Sequence, residues 1–128
     1  MSVSISSISY CPVKSISFQN IKSCEIKKNI GIVGDRIFAF SKGLDQNQAQ
    51  LFEKNLDERR GKWNKILTLK NSPSLNKYNF ILDNNKLTLT QKNNEIITIN
   101  SDELGEYELL SDKFLELEKS LQKPLFLM

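Results

Sequence analysis

The chain has 128 residues, ordinary apolar content and a formal charge of +3, which suits one folded domain with a single core. That composition argues against an intrinsically disordered chain and against a coiled coil. No apolar run approaches membrane-spanning length, and the serine-rich start (Ser2, Ser4, Ser6, Ser7, Ser9) lacks the basic and apolar regions of a signal peptide. The expectation is a cytoplasmic protein with no membrane contact.

In chain order, Val3, Ile5 and Ile8 suit a first strand, ended by Pro12 because proline cannot donate to a ladder. Residues 21–26 alternate well enough for a second strand, and Asn29-Ile30-Gly31 reads as a turn. A third strand is expected over residues 36–40, before Lys42-Gly43. Residues 45–62 show no strand pattern, but Ala49, Phe52 and Leu56 recur at helical spacing and Gly61 would close the segment. Trp63 reads as a buried anchor.

Residues 66–69 form an expected strand, stopped before Pro73. Residues 79–82 and 86–90 flank Asp83-Asn84-Asn85 as a hairpin, with Leu87 and Leu89 on its dry face. Residues 95–99 return after the polar turn Lys92-Asn93-Asn94. Ser111 is the expected N-cap of a last helix, with Asp112 in its first turn. Leu110, Phe114, Leu117 and Leu121 line that helix's apolar face. Pro124 stops it, and Leu125-Phe126-Leu127 is a possible closing strand. The expected fold is mainly β within an α+β domain over residues 1–128: a small antiparallel β-barrel with a C-terminal helix packed against it.

The chemistry is sparse. The chain has no histidine, which removes the usual general base and the commonest metal ligand. Cys11 and Cys24 are expected to be free, partly buried thiols, with no base to activate either as a nucleophile. No catalytic residue and no metal site are assigned. Residues 1–42 carry six basic groups against two acids, whereas residues 101–128 carry three lysines against seven acids. Such opposed ends favour association. The basic residues are scattered with few aromatics among them, so nucleic acid is not an expected partner. The richest corner pairs Cys11-Pro12-Val13-Lys14-Ser15 with Gly31-Ile32-Val33-Gly34-Asp35-Arg36. It sets an ammonium, a hydroxyl and a guanidinium at the ends of two early strands, as anion binding requires. Asp35 is read as structural, a carboxylate that satisfies backbone donors in the turn at Gly34.

These two motifs resemble the N-terminal β-barrel domain of MOSC proteins. That family includes the mitochondrial amidoxime reducing component and the C-terminal part of molybdenum cofactor sulfurase. Two further stretches are similar to the family's pattern: residues 67–75, Leu-Thr-Leu-Lys-Asn-Ser-Pro-Ser-Leu, and residues 117–127, which close with Lys123-Pro124-Leu125. The sequence departs from it at Cys11, where an aromatic is usual, at Ile16-Ser17-Phe18, which lacks a glycine, and at Lys70, where arginine is common. Residues 45–64 look like an insertion.

The resemblance implies Lys14, Ser15 and Arg36 as ligands of the phosphate end of molybdopterin. It implies a partner MOSC domain, in cis or in trans, whose cysteine holds the metal. The function it implies is that of a non-catalytic accessory domain. The alternative is a protein-interaction or structural module that keeps only the barrel and no cofactor.

Overall fold

The computed structural model describes residues 2–128, and of Leu56 the backbone alone. Its elements in order are β1 (Ile8–Tyr10), β2 (Gln19–Ile21), β3 (Ile26–Lys27), β4 (Gly31–Ile32), β5 (Phe40–Lys42), α1 (Gln46–Lys54) and α2 (Leu56–Arg59). Short 3₁₀ turns follow at Trp63–Lys65 and Pro73–Lys77. Then come β6 (Tyr78–Asp83), β7 (Lys86–Gln91), β8 (Asn94–Asn100), α3 (Leu104–Leu117) and β9 (Leu125–Leu127).

The fold is mixed α+β. Antiparallel pairing joins β1 to β2, β3 to β4, β5 to β9, and β6 to β7 to β8, and no closed barrel is found among these four sheets. The three-stranded meander is the largest. Its first turn, at Asn84-Asn85, uses Asn84 at φ 54°, and its second uses Lys92 and Asn93 at φ 52° and 64°. Asparagine tolerates that left-handed backbone better than most residues, so two-residue connections close both hairpins. Leu87 and Leu89 are fully buried while Thr88 pairs with Thr98 on the other face, as the alternation requires.

The core forms where this meander, β5, β9 and one face of α3 meet. Phe40, Phe80 and Phe114 are buried almost completely, each contributing about 1.5–3 kcal/mol by leaving water. A smaller cluster of Leu44, Ala49, Phe52 and Ile66 seats α1. This helix begins with reciprocal caps: the Asp45 carboxylate accepts the Gln48 N–H at 2.8 Å, and the Gln48 carbonyl accepts the Asp45 N–H at 3.0 Å. Arg59 donates to the carbonyls of Phe52 and Glu53, satisfying part of the end of α1. Residues 45–62 are thus two short helices rather than one, broken at Asn55. The Leu56 side chain, expected on their apolar face, lies outside the described residues.

Several expected elements differ. Val3 and Ile5 are exposed, and β1 starts only at Ile8, because its register partner Ile21 is the last residue of β2. The strand expected over 21–26 is divided. Its first residue pairs with β1 and its last pairs with β4, so the chain turns between them. Residues 66–69 do not form a strand. Ile66 bridges to Ser41, then the Thr68 N–H binds the Asn71 side chain and the Asn71 N–H binds the Thr68 hydroxyl, which curls the segment.

Ser111 is not an N-cap. It sits inside α3, donating its hydroxyl proton to the Tyr107 carbonyl at 2.9 Å and accepting the Leu127 N–H at 3.2 Å. A residue that caps well in isolation here ties the helix to β9. The helix ends at Leu117, so Leu121 packs on the core from the loop beyond it. Trp63 is 60 % exposed and anchors nothing. It stands between charged residues in a one-turn helix that offers no inward face.

Candidate functional site

The first motif leaves β1 through Tyr10, and the second turns at Gly34 before entering β5. The two run side by side and parallel, with Val13 bridged to Phe38. Three backbone bonds hold them: Arg36 N–H to the Cys11 carbonyl at 2.6 Å, Phe38 N–H to Pro12 at 3.0 Å, and Lys14 N–H to Phe38 at 2.8 Å. Pro12 has no proton to give, but its carbonyl is the acceptor the pairing needs.

Asp35 does more than brace its own turn. One carboxylate oxygen accepts the Cys11 N–H at 2.9 Å, and the other lies 3.1 Å from the Arg36 Nε. It therefore clips the second motif onto the first across 24 residues of sequence. Gly34, at φ 93°, lies against the Tyr10 ring, where an added Cβ would come within 3.0 Å of Cε2. Replacing it with alanine is expected to cost about 1–3 kcal/mol, from positive φ and the clash together. A thermal melt of Gly34→Ala against the parent chain checks this; an unchanged midpoint would show that the turn relaxes freely.

Lys14 and Ser15 are half-buried and Arg36 is exposed. Ser15 at φ 66° and Arg36 at φ 51° both lie in the left-handed region, at the two corners where the chain bends away from the ladder. Among the described residues, Lys14 makes no ion pair and the Ser15 hydroxyl no hydrogen bond, whereas Arg36 is paired with Asp35. The ladder bonds of Arg36 and Lys14 are three residues apart on the first strand, about 10 Å of extended chain. The motifs therefore share one edge, with Lys14 and Ser15 at one end of it and Arg36 at the other.

Cys11 is buried, its sulfur 2.8 Å from the Val13 carbonyl and 3.2 Å from that of Ile16. Burial pushes the thiol above its ordinary range, and the nearby Asp35 carboxylate adds to this. A protonated thiol facing two carbonyls is structural rather than nucleophilic. Both cysteines are free, and Cys24 is half-buried. Among the described residues, no three His, Cys, Asp or Glu side chains gather in a way that could hold a metal ion. Among the described residues, no helix is long and apolar enough to cross a membrane.

A feature that sequence reasoning missed lies at the far end of β5. Lys42, Ser74, Ser120 and Lys123 line a cleft of about 420 Å³. These residues are scattered over 82 positions, with no motif spacing to reveal them. Comparisons with protein-family models, with curated proteins and with solved structures found no match for this chain.

Proposed function

We propose that the chain is a non-catalytic accessory domain that helps anchor the phosphate end of molybdopterin for a MOSC-type partner domain, supplied in cis or in trans. The observation that supports this reading is the parallel backbone pairing of the two motifs, which carry Lys14 and Ser15 at one end and Arg36 at the other. Their chemistry fits a phosphate. Lys14 is half-buried without a counter-ion, the Ser15 hydroxyl is unengaged among the described residues, and Arg36 is exposed. A bound phosphate would compete with the Asp35 carboxylate for Arg36, and its lost water would be replaced by charged donors. The cofactor, when bound, would supply two-electron chemistry at a metal held by the partner's cysteine. This chain's own residues would only grip and orient the phosphate. In this reading the separate sheets are segments of a small barrel whose rim carries the site.

Calorimetric titration with molybdopterin, or with a simple phosphate ester, tests the assignment. Lys14→Ala and Arg36→Ala are each expected to weaken binding by about tenfold, the loss of one charge-assisted contact. Equal binding by the parent and both variants would remove the ligand assignment.

One observation favours the cofactor-free interaction module instead. The β3–β4 hairpin exposes Ile26 and Ile30, 73 % and 69 % accessible, beside Lys27 and Lys28. Recovery of a MOSC-domain complex lacking molybdopterin would select that module.

A further inference from the structure

We infer that the cleft at the far end of β5 is a second binding site, for a small molecule that joins an oxyanion to an apolar body. It stands apart from the Lys14 corner. Lys42 pairs with Leu125 of β9, four residues beyond Phe38, the last residue of this segment bonded to the first motif.

Charge is the first argument. Lys42 and Lys123 line the cleft, and the Lys65 ammonium stands beside Gly43, 3.8 Å from where a Cβ there would sit. Among the described residues no acid lines it, and none of these three lysines has an ion-pair partner. Lys62, Lys77 and Lys113 are paired with acids, whereas most other lysines, Lys14 among them, have no ion-pair partner among the described residues; what sets Lys42, Lys65 and Lys123 apart is that they gather at one concavity. Three unneutralised ammonium groups around one concavity repel each other, and a bound anion relieves that repulsion.

The second argument is the lining. Leu67, Leu121 and Leu125 give it an apolar floor, and its volume falls within the range of small-molecule sites. Two hydroxyls face each other across it, Ser74 Oγ and Ser120 Oγ at 3.2 Å. Ser120 donates its proton to the buried Glu118 carboxylate at 2.8 Å. With the Ser120 proton committed to Glu118, Ser74 is the donor in the 3.2 Å contact, and an entering oxyanion would compete with Ser120 Oγ for that hydrogen bond. Lysines at the rim, a hydroxyl donor within and leucines beneath match an aryl or short acyl group carrying a phosphate or carboxylate.

Amide-resolved NMR titration of the full chain tests this with four probes: phenyl phosphate, phenylacetate, inorganic phosphate and benzyl alcohol. The two aryl anions are expected to shift the Gly43, Ser74 and Ser120 amides saturably in the millimolar range, phosphate or carboxylate being distinguished by which binds tighter. Inorganic phosphate lacks the apolar body and benzyl alcohol lacks the charge, so each should bind about tenfold more weakly. The double variant Lys42→Gln/Lys123→Gln should weaken the response of the Gly43, Ser74 and Ser120 amides to both aryl anions by about tenfold or more, whereas Lys86→Gln, exposed on β7, should leave it unchanged. Absence of saturable shifts at those amides would overturn the site. So would saturable shifts at those amides that survive the double substitution or follow benzyl alcohol equally. Phosphate binding at Lys14 and Arg36 is read separately, at the amides of Lys14, Ser15 and Arg36 in the same titration.

Discussion

Phe114→Ala is expected to destabilise the protein by about 3–5 kcal/mol, enough to unfold much of a domain whose whole stability is of the order of 5–15 kcal/mol. The side chain is fully buried on α3 and is the point where three other rings converge. Its centroid lies 5.0 Å from Phe40, 5.0 Å from Tyr78 and 6.2 Å from Phe80, the last two in edge-on arrangements at 84° and 77°. Truncation forfeits the apolar transfer, leaves a cavity between α3 and the meander, and removes ring pairs worth about 0.5–1.5 kcal/mol each. Urea denaturation followed by circular dichroism measures the loss. Leu109→Ala is the control, since Leu109 is exposed on the same helix and should change stability by less than about 0.5 kcal/mol. Similar losses for both would show that the aromatic junction contributes nothing beyond a generic truncation on α3.

Glu118→Ala is expected to cost about 2–3 kcal/mol. Although it carries a charge, Glu118 is buried at the end of α3. It accepts the Tyr78 hydroxyl at 3.0 Å and the Ser120 hydroxyl at 2.8 Å, with the Lys77 ammonium at 3.7 Å. Burial alone would raise its pKa, but the hydrogen bonds from Ser120 and Tyr78, together with Lys77, outweigh that and hold the carboxyl below its ordinary value. A lowered folded pKa means stability that is present at neutral pH and lost as the solution is acidified below the unfolded value through the folded one.

Tyr78 gives the opposite limb. Burial, reinforced by its bond to Glu118, pushes its pKa up to about 12, so its contribution is intact below pH 10 and lost between there and about 12. Thermal midpoints across pH should therefore fall at both extremes. Glu118→Gln should flatten the acid limb and Tyr78→Phe the alkaline one. Parallel profiles for parent and variants would mean that other groups govern both limbs.

The hairpins at Asn84-Asn85 and Lys92-Asn93 are readable from sequence because turn chemistry and alternation agree there and every contact is local. β9 is readable for a different reason: it starts where Pro124 must stop anything helical, although its partner β5 is distant in sequence. Phe114 and Leu110 declare themselves as core through helical spacing. Failures come where a residue's role depends on something distant. Ser111 has the chemistry of a cap, but the Leu127 amide needs an acceptor and recruits it. Ile66 and Leu67 carry strand-like side chains, yet Asn71 and Thr68 bend the chain after a single bridge.

At the candidate site, the residue types are legible while the clip is not. Nothing in the sequence says that Asp35 reaches the Cys11 amide. The cleft at Lys42 is invisible for a related reason, since its lysines come from segments that only tertiary folding assembles.

The exchange of backbone hydrogen bonds between Ala39 and Met128, with β5 paired to β9 beside it, sets an order for assembly during synthesis. The strand that pairs with β5 leaves the ribosome roughly eighty-five positions after it. Until then Phe40 lacks its neighbour Leu127, and the nascent chain holds only the β6–β8 meander, whose contacts are short-range, and whatever α3 has already packed against it.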